Sequence, residues 1–176
     1  RHEPWARDIL TTRFSTSLTP EIEAQSLVLI AACDIRTESI DKAEENLRRA
    51  EELAYENQLQ HVMALVKLGQ GDIAKHRLKI GSAERLYQEA IDFSEDAEDE
   101  EIRCRILVRQ GDLLRQVGEK EKAFANYMLA ADCFSVMGLP IRQAWTRVKM
   151  GQMGDNKSLR FARDLFKSID DAAGVA

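Results

Sequence analysis

The sequence is poor in the residues that build catalytic, metal and redox sites. It has three cysteines and three histidines, and they form none of the C-x-x-C, H-x-x-x-H or H-E-x-x-H spacings of metal sites. The G-x-S-x-G elbow of a nucleophile and the G-x-x-x-x-G-K-S/T loop of a phosphate site are also missing. These absences argue against an enzyme, and we expect neither a metal nor another cofactor.

The three cysteines, Cys33, Cys104 and Cys133, are widely spaced in the sequence. Disulfide scaffolds and zinc sites need more cysteines, or closer ones. Cys33 and Cys133 lie among apolar residues at helical spacing, which predicts small core side chains. Unpaired cysteines are typical of a reducing compartment, so we expect a cytoplasmic protein.

Charge and hydropathy argue against two further classes. The net charge is −5 at pH 7, whereas nucleic-acid binding normally needs a concentrated basic face. No run of about 18 apolar residues predicts a membrane span. The acidic cluster at 95–101 covers a turn and a helix start, where the helix dipole favours carboxylates; the alternative is a contact for a basic partner. We expect direct binding to neither nucleic acid nor a membrane.

Proline is scarce, and apolar residues recur at spacings of three and four, which predicts helices almost throughout. Thr19-Pro20-Glu21 predicts a helix start, because Thr19 can cap free amides and Pro20 fits the first helical position. Glycine and polar breaks divide the rest. The predicted helices cover about 20–36, a segment from 40 onward, 59–77, 80–95, 98–117, 119–137, 139–153 and 156–171.

A shift of forty residues superimposes the sequence on itself. Gln70-Gly71-Asp72 falls on Gln110-Gly111-Asp112, and Tyr87 falls on Tyr127. Such a period predicts stacked supersecondary units, with small residues where two helices cross closely. Small residues recur at three repeat positions: Ala31, Gly71, Gly111 and Gly151; Ala43, Ala83 and Ala123; Ala50, Ala90 and Ala130.

These positions resemble the tetratricopeptide repeat (TPR) superfamily. In that family a small residue, usually Gly, is followed by Ala twelve residues later, an aromatic four further on and Ala three after that. The sequence follows the pattern twice, with Gly71, Ala83, Tyr87 and Ala90, and with Gly111, Ala123, Tyr127 and Ala130. The forty-residue unit resembles the long-unit arrays of signalling and regulatory scaffold proteins.

The outer repeats depart from the pattern. The first has Ala31 and Leu47 in place of the glycine and the aromatic residue. In the fourth, the turn must shorten by one residue for Ala162, Phe166 and Ile169 to take the later positions. The match therefore rests mainly on the two central repeats.

The resemblance implies an all-α fold, a right-handed superhelical solenoid of antiparallel helix pairs with about four repeats. The array is expected over 19–171, with repeats at about 24–57, 64–97, 104–137 and 144–171. Residues 1–18, with Trp5, Ile9 and Phe14, are expected to be an N-terminal extension or cap, and 172–176 the start of a truncated further helix. Because the chain begins with Arg1, we expect a segment of a longer protein.

The resemblance also implies a non-catalytic module that binds a peptide or partner protein along a concave groove. The family's carboxylate clamp needs a lysine at a position where this chain has aliphatic residues. We therefore expect an apolar line that meets an amphipathic helix or an extended peptide. The candidate groove residues are Val28, Leu68, Asp72, Lys75, Arg105, Val108, Asp112, Arg115, Trp145 and Val148.

Alternatives stay open at the residues and for the whole protein. Asp72 with Lys75, and Asp112 with Arg115, are spaced to pair with each other on a solvated helix. Trp145 is either an exposed anchor or packed against a further repeat. The protein itself is alternatively a self-assembly module, with exposed end helices, a ligand-sensing domain of a signalling or transcriptional regulator, or an accessory domain of an enzyme. If the groove prediction holds, Val108→Glu weakens partner binding and leaves melting nearly unchanged.

Overall fold

The computed structural model describes residues 19–173, with side chains for 19–170. This part of the chain is all-α and has no strand. The expected cap at 1–18 lies outside the described residues. The eight helices are α1 Pro20–Arg36, α2 Ile40–Glu56, α3 Gln60–His76, α4 Ile80–Asp96, α5 Glu100–Gln116, α6 Lys120–Val136, α7 Pro140–Gln152 and α8 Asn156–Ala173.

The start of α1 is the one that the sequence predicts. The Thr19 hydroxyl oxygen accepts a hydrogen bond from the Ile22 amide at 3.4 Å, and Pro20 is the first helical residue. Glu21 and Glu23 lie in the first turn, where their charge is favoured by the helix dipole. Local capping therefore fixes where the described fold begins.

The turns between the first seven helices share one geometry. The second residue before each following helix has a left-handed backbone, with φ of 60° at Glu38, 57° at Leu78 and 88° at Gly118. The next residue donates its amide to a carbonyl five positions back, as Lys79 does to Ala74 at 2.9 Å. This pattern is the Schellman motif, which ends a helix by satisfying its last carbonyls.

The chain divides into two compact units, Arg1–Ile102 and Arg103–Ala176. In the first, α1 packs on α2 and α3 packs on α4, while α3 also contacts α1 and α2. In the second, α7 packs on α6 and on α8. The apolar core of the second unit includes side chains of α5, α6 and α7, among them Cys104, Tyr127 and Met150.

The small residues of the repeat are buried, as the sequence predicts, and their partners are specific. A Cβ atom added to Gly71 would lie 2.5 Å from Cε1 of Tyr87, and one added to Gly111 would lie 2.7 Å from Cε1 of Tyr127. Both tyrosines are fully buried. Each glycine therefore leaves the space that the tyrosine ring of the following helix fills.

The fourth helix pair departs from this pattern. Helix α7 has 13 residues, whereas each of the six helices before it has 17, so α8 begins four residues early. Leu159, not Phe166, lies against Gly151. Ala162 is buried as expected. The prediction that Phe166 takes the tyrosine position is wrong, because the shorter helix brings an earlier part of α8 against the glycine.

Helix α8 continues through Ala173. The prediction that a new helix starts at 172 is therefore wrong for Ala172 and Ala173, since no glycine or proline breaks the segment before Gly174. Residues 174–176 lie outside the described residues. Within 19–173, no helix is both long and apolar enough to cross a bilayer.

Two of the cysteines lie together in the second unit. Cys104 on α5 and Cys133 on α6 form a disulfide, with 6.1 Å between their Cα atoms. Cys33 is a free thiol. The prediction that Cys133 is an unpaired core side chain is wrong, because the hairpin folds together two residues that are 29 positions apart. Sequence spacing alone does not indicate this contact.

Candidate partner-binding site

Three of the predicted groove residues are core side chains. Val28, Leu68 and Val108 are 8%, 5% and 9% exposed. Val148 is half-buried. The expectation that these residues form an open apolar line is wrong, because the helices turn the first three toward apolar neighbours. Val108→Glu would place a charge in the core, so it cannot test binding alone.

The predicted acidic groove residues are held by neighbours in the same unit. Asp72 accepts hydrogen bonds from the Tyr87 hydroxyl at 2.8 Å and from Lys75 Nζ at 3.3 Å. Asp112 accepts from the Tyr127 hydroxyl at 2.7 Å and from Lys149 Nζ at 2.6 Å. Asp72 with Lys75 is therefore the helical pair that the sequence spacing allowed.

The Tyr127 hydroxyl titrates abnormally in this environment. Burial raises its pKa well above the usual 10.0, and the hydrogen bond to the Asp112 carboxylate raises it further. Arg115, an exposed residue near the end of α5, acts in the opposite direction on the same pKa. Tyr127 and Asp112 thus form a hydrogen-bonded pair within the second unit.

The remaining predicted residues meet at one cavity in the second unit. Arg105, Val108 and Trp145 all line it, and its volume is about 250 Å³. The full lining of this cavity is Arg105, Val108, Arg109, Phe134, Arg142, Trp145, Thr146 and Lys149.

Two helices supply most of this lining at helical spacing. Arg105, Val108 and Arg109 project from one stripe of α5, and α7 contributes residues at 142, 145, 146 and 149. Residues three and four apart lie on the same face of a helix, so each stripe faces the cavity as a unit. The buried side chain of Phe134 on α6 completes the lining.

The sequence analysis missed the basic residues Arg109, Arg142 and Lys149. A signal was present, since Arg109 and Lys149 are forty residues apart and so share one repeat position. The same position holds Leu29 and Gly69 in the first unit. A comparison of charge at each repeat position would therefore have pointed to the second unit.

Trp145 stands at the edge of the cavity. Its side chain is 59% exposed, and its ring meets that of Phe166 edge-on, with 5.3 Å between the centroids. The contact fixes one side of the indole and leaves the rest accessible. Trp145 is thus packed on α8 and still largely exposed, while its packing against a further repeat stays a prediction.

Every charged side chain in the cavity lining is basic: Arg105, Arg109, Arg142 and Lys149. Asp112 lies close by, at 2.6 Å from Lys149 Nζ and 3.7 Å from Arg109 Nη1. Arg142 lies in the first turn of α7, where the helix dipole is positive and no acidic residue is present. The Asp112 carboxylate therefore neutralises part of the positive charge of the lining.

A cavity in the first unit differs in its charge. It measures about 420 Å³ and lies among α2, α3 and α4. Its lining includes both signs, and Arg77 pairs with Glu44 across it, with Nη2 donating to Oε2 at 3.0 Å. Acidic and basic side chains therefore pair within the lining of the larger cavity.

The comparisons with known proteins concern the fold alone. No family model matches the chain, and no curated protein matches it. The structure is similar to the crystal structure of BtubC (BKLC) from P. vanneervenii, with a TM-score of 0.67 and 20% sequence identity. The match covers 93% of this chain and 71% of that chain.

Proposed function

We propose that this chain is a non-catalytic protein-interaction module of the tetratricopeptide-repeat type. Its helix pairs would stack as a right-handed solenoid and hold a peptide or partner protein on the concave face. Support comes from the forty-residue spacing and from the Gly71–Tyr87 and Gly111–Tyr127 contacts, which repeat at equivalent positions. The Tyr87–Asp72 and Tyr127–Asp112 hydrogen bonds recur in the same way and support a repeated fold.

The observation that carries the proposal is the exposed indole of Trp145 beside the cavity of the second unit. Tryptophan is enriched among the residues that dominate binding energy at protein interfaces. The cavity is smaller than the roughly 300–1,000 Å³ of typical small-molecule pockets. Its size suits one or two side chains of a partner, which favours the interaction module over the ligand-sensing alternative.

Selection from a displayed library of random peptides tests the proposal. The wild-type protein is expected to enrich peptides that Trp145→Ala fails to retain. Phe161→Ala is the matched control, because Phe161 is another exposed aromatic residue of the same unit, at 48% exposure. Circular dichroism confirms that both variants fold. Enrichment that is equal with Trp145→Ala would overturn the proposed site.

Self-assembly is the second candidate, and Phe161 is the observation that favours it. Its ring lies on the exposed face of α8, with the Arg147 guanidinium 5.3 Å from its centroid. A second copy packing there would bury this surface. Sedimentation over a range of concentrations would then show a dimer that Phe161→Ala weakens.

A further inference from the structure

We propose that the cavity of the first unit binds a small carboxylic acid with an apolar body. The apolar body would lie against the buried side chains of the lining, and the carboxylate would meet the ammonium group of Lys79. The inference goes beyond the proposed function, because it concerns a different cavity and a different class of ligand. We call this site, which Leu47, Ile73 and Lys79 help to line, the α2–α4 cavity.

The size of the α2–α4 cavity suits a small molecule. Its volume is about 420 Å³, which lies within the roughly 300–1,000 Å³ of typical small-molecule pockets. In liquid water the same volume holds about fourteen molecules. A ligand with a short hydrocarbon chain and one polar head therefore fits, whereas a folded partner domain does not.

The buried part of this lining is apolar. Leu47, Ile73 and Ala74 are all buried, and Leu86 is half-buried. Apolar surface of a ligand that packs on these side chains leaves water, which is favourable in proportion to the area removed. The ligand therefore needs an apolar body, and a small inorganic anion does not meet this requirement.

Four of the five charged side chains of the lining already have partners within the first unit. The pairs are Arg77 with Glu44, Arg48 with Glu45 and Glu52, and Glu51 with Lys67. Glu51 also accepts a hydrogen bond from Gln70 Nε2 at 2.8 Å. Since these pairs balance their own charges, we assign none of them to the ligand.

Lys79 is the fifth charged side chain, and it differs from the others. Among residues 19–170, no side chain forms an ion pair or a hydrogen bond with its ammonium group. The first turn of α4, which follows directly, has no acidic residue. Ser82 in that turn also lines the cavity, so an ammonium and a hydroxyl are available to donate to one ligand oxygen or carboxylate.

A single cation without a counterion sets the charge of the ligand. A carboxylate carries one negative charge and accepts hydrogen bonds at both oxygens. A phosphate monoester carries a charge of about −1.5 to −2 at pH 7, which exceeds what one ammonium group balances. The lining therefore matches a monocarboxylate better than a phosphorylated ligand.

NMR titration of the ¹⁵N-labelled protein with hexanoate tests the inference. We expect a dissociation constant on the order of 1 mM for so small a ligand, with amide shift changes at 70–86. Hexan-1-ol has the same chain without the charge and is expected to bind about fivefold more weakly. Equal binding of hexan-1-ol, or shift changes confined to 103–170, would overturn the inference.

Substitution of Lys79 locates the carboxylate. Lys79→Gln is expected to weaken hexanoate binding about fivefold and to leave hexan-1-ol binding unchanged. Lys79→Arg keeps the charge and is expected to retain hexanoate. Lys42→Gln is the matched control, because Lys42 is exposed on α2 and does not line the cavity. Equal weakening by the two glutamine variants would show a general charge effect and overturn the site.

Filling the cavity tests the apolar part of the site. Ser82→Phe adds a ring to the lining and is expected to abolish hexanoate binding. Because Ser82 is exposed, the change leaves the core intact, which circular dichroism checks. Glu84→Phe is the matched control, since Glu84 is exposed on the same helix outside the lining. Unchanged hexanoate binding by Ser82→Phe would place the ligand elsewhere and overturn the proposal.

A short peptide that ends in leucine distinguishes a free acid from the end of a partner chain. If its terminal carboxylate binds more tightly than hexanoate, with the same dependence on Lys79, the small-molecule occupant is overturned. Weaker binding of the peptide supports the free acid. Trp145→Ala is expected to leave hexanoate binding unchanged, so failure of this inference and failure of the proposed function are separate results.

Discussion

At the scale of single residues, a glycine, a tyrosine and an aspartate form a recurring set of contacts. Gly71 leaves room for the Tyr87 ring, and Asp72 accepts the hydrogen bond of its hydroxyl at 2.8 Å. A polar group buried without a partner costs free energy, so the carboxylate makes it possible to bury the whole ring. The same three residue types recur forty positions later.

Gly71→Ala is expected to lower the free energy of unfolding by about 1–3 kcal/mol, because the added methyl group meets the fixed Tyr87 ring. Gly81→Ala is the matched control. No atom lies within 4 Å of a Cβ added there, and alanine favours the helix by up to about 1 kcal/mol. Urea unfolding measures both, and a loss of equal size at Gly81 would contradict the ring contact.

The raised pKa of Tyr127 predicts that the free energy of unfolding falls at alkaline pH. Its folded pKa is raised above 10.0, so the stabilisation is complete below pH 10 and is lost as the pH rises above it. Above pH 10 the free energy of unfolding of the wild type should fall more steeply than that of Tyr127→Phe, by up to about 1.4 kcal/mol per pH unit. If urea unfolding shows the same change of the unfolding free energy with pH in both proteins, the prediction is contradicted. Tyr55→Phe is the control for the loss of an exposed phenol.

At the scale of elements, the helix ends share one backbone geometry although different residue types form them. Glu38, Gln58, Leu78 and Glu98 adopt the left-handed backbone that Gly118, Gly138 and Gly154 also adopt. A left-handed conformation costs a residue with a side chain about 1–2 kcal/mol. The first four turns therefore keep the geometry at a cost that the three glycine turns avoid.

Leu78→Gly is expected to stabilise the protein by about 0.5–1 kcal/mol, because it relieves the left-handed strain at φ 57°. Leu78 is largely exposed, so little packing is lost. Leu78→Ala retains a Cβ atom and is expected to give no such gain. The urea midpoint distinguishes them, and a gain of equal size from alanine would show that strain is not the cause.

At the scale of the whole molecule, the two units differ in their cysteines and in the residues that line their cavities. The second contains the Cys104–Cys133 disulfide and the cavity lined by Arg105 and Trp145. The first contains the free Cys33 and a cavity lined by residues of both charges. The disulfide therefore predicts a response to reductant that is specific to one unit.

Thiol titration of the denatured, unreduced protein is expected to find one thiol, Cys33, and three after reduction. Reduction should lower the stability of the second unit by about 2–4 kcal/mol, because the disulfide restricts the unfolded chain. Hydrogen exchange would show the loss in 103–173 first. Three thiols before reduction would contradict the disulfide and would agree with the reducing compartment that the sequence predicts.

The sequence by itself determined the helices, their ends and the small residues at their contacts. Capping, glycine and apolar spacing act within a few residues, so Thr19, Gly71 and Gly111 could be interpreted without coordinates. Tertiary structure decided which of the predicted groove residues stay accessible. It also decided the pairing of Cys104 with Cys133 and the contact of Leu159 with Gly151. These depend on the rotation and length of helices that are distant in sequence, and a local pattern does not contain that information.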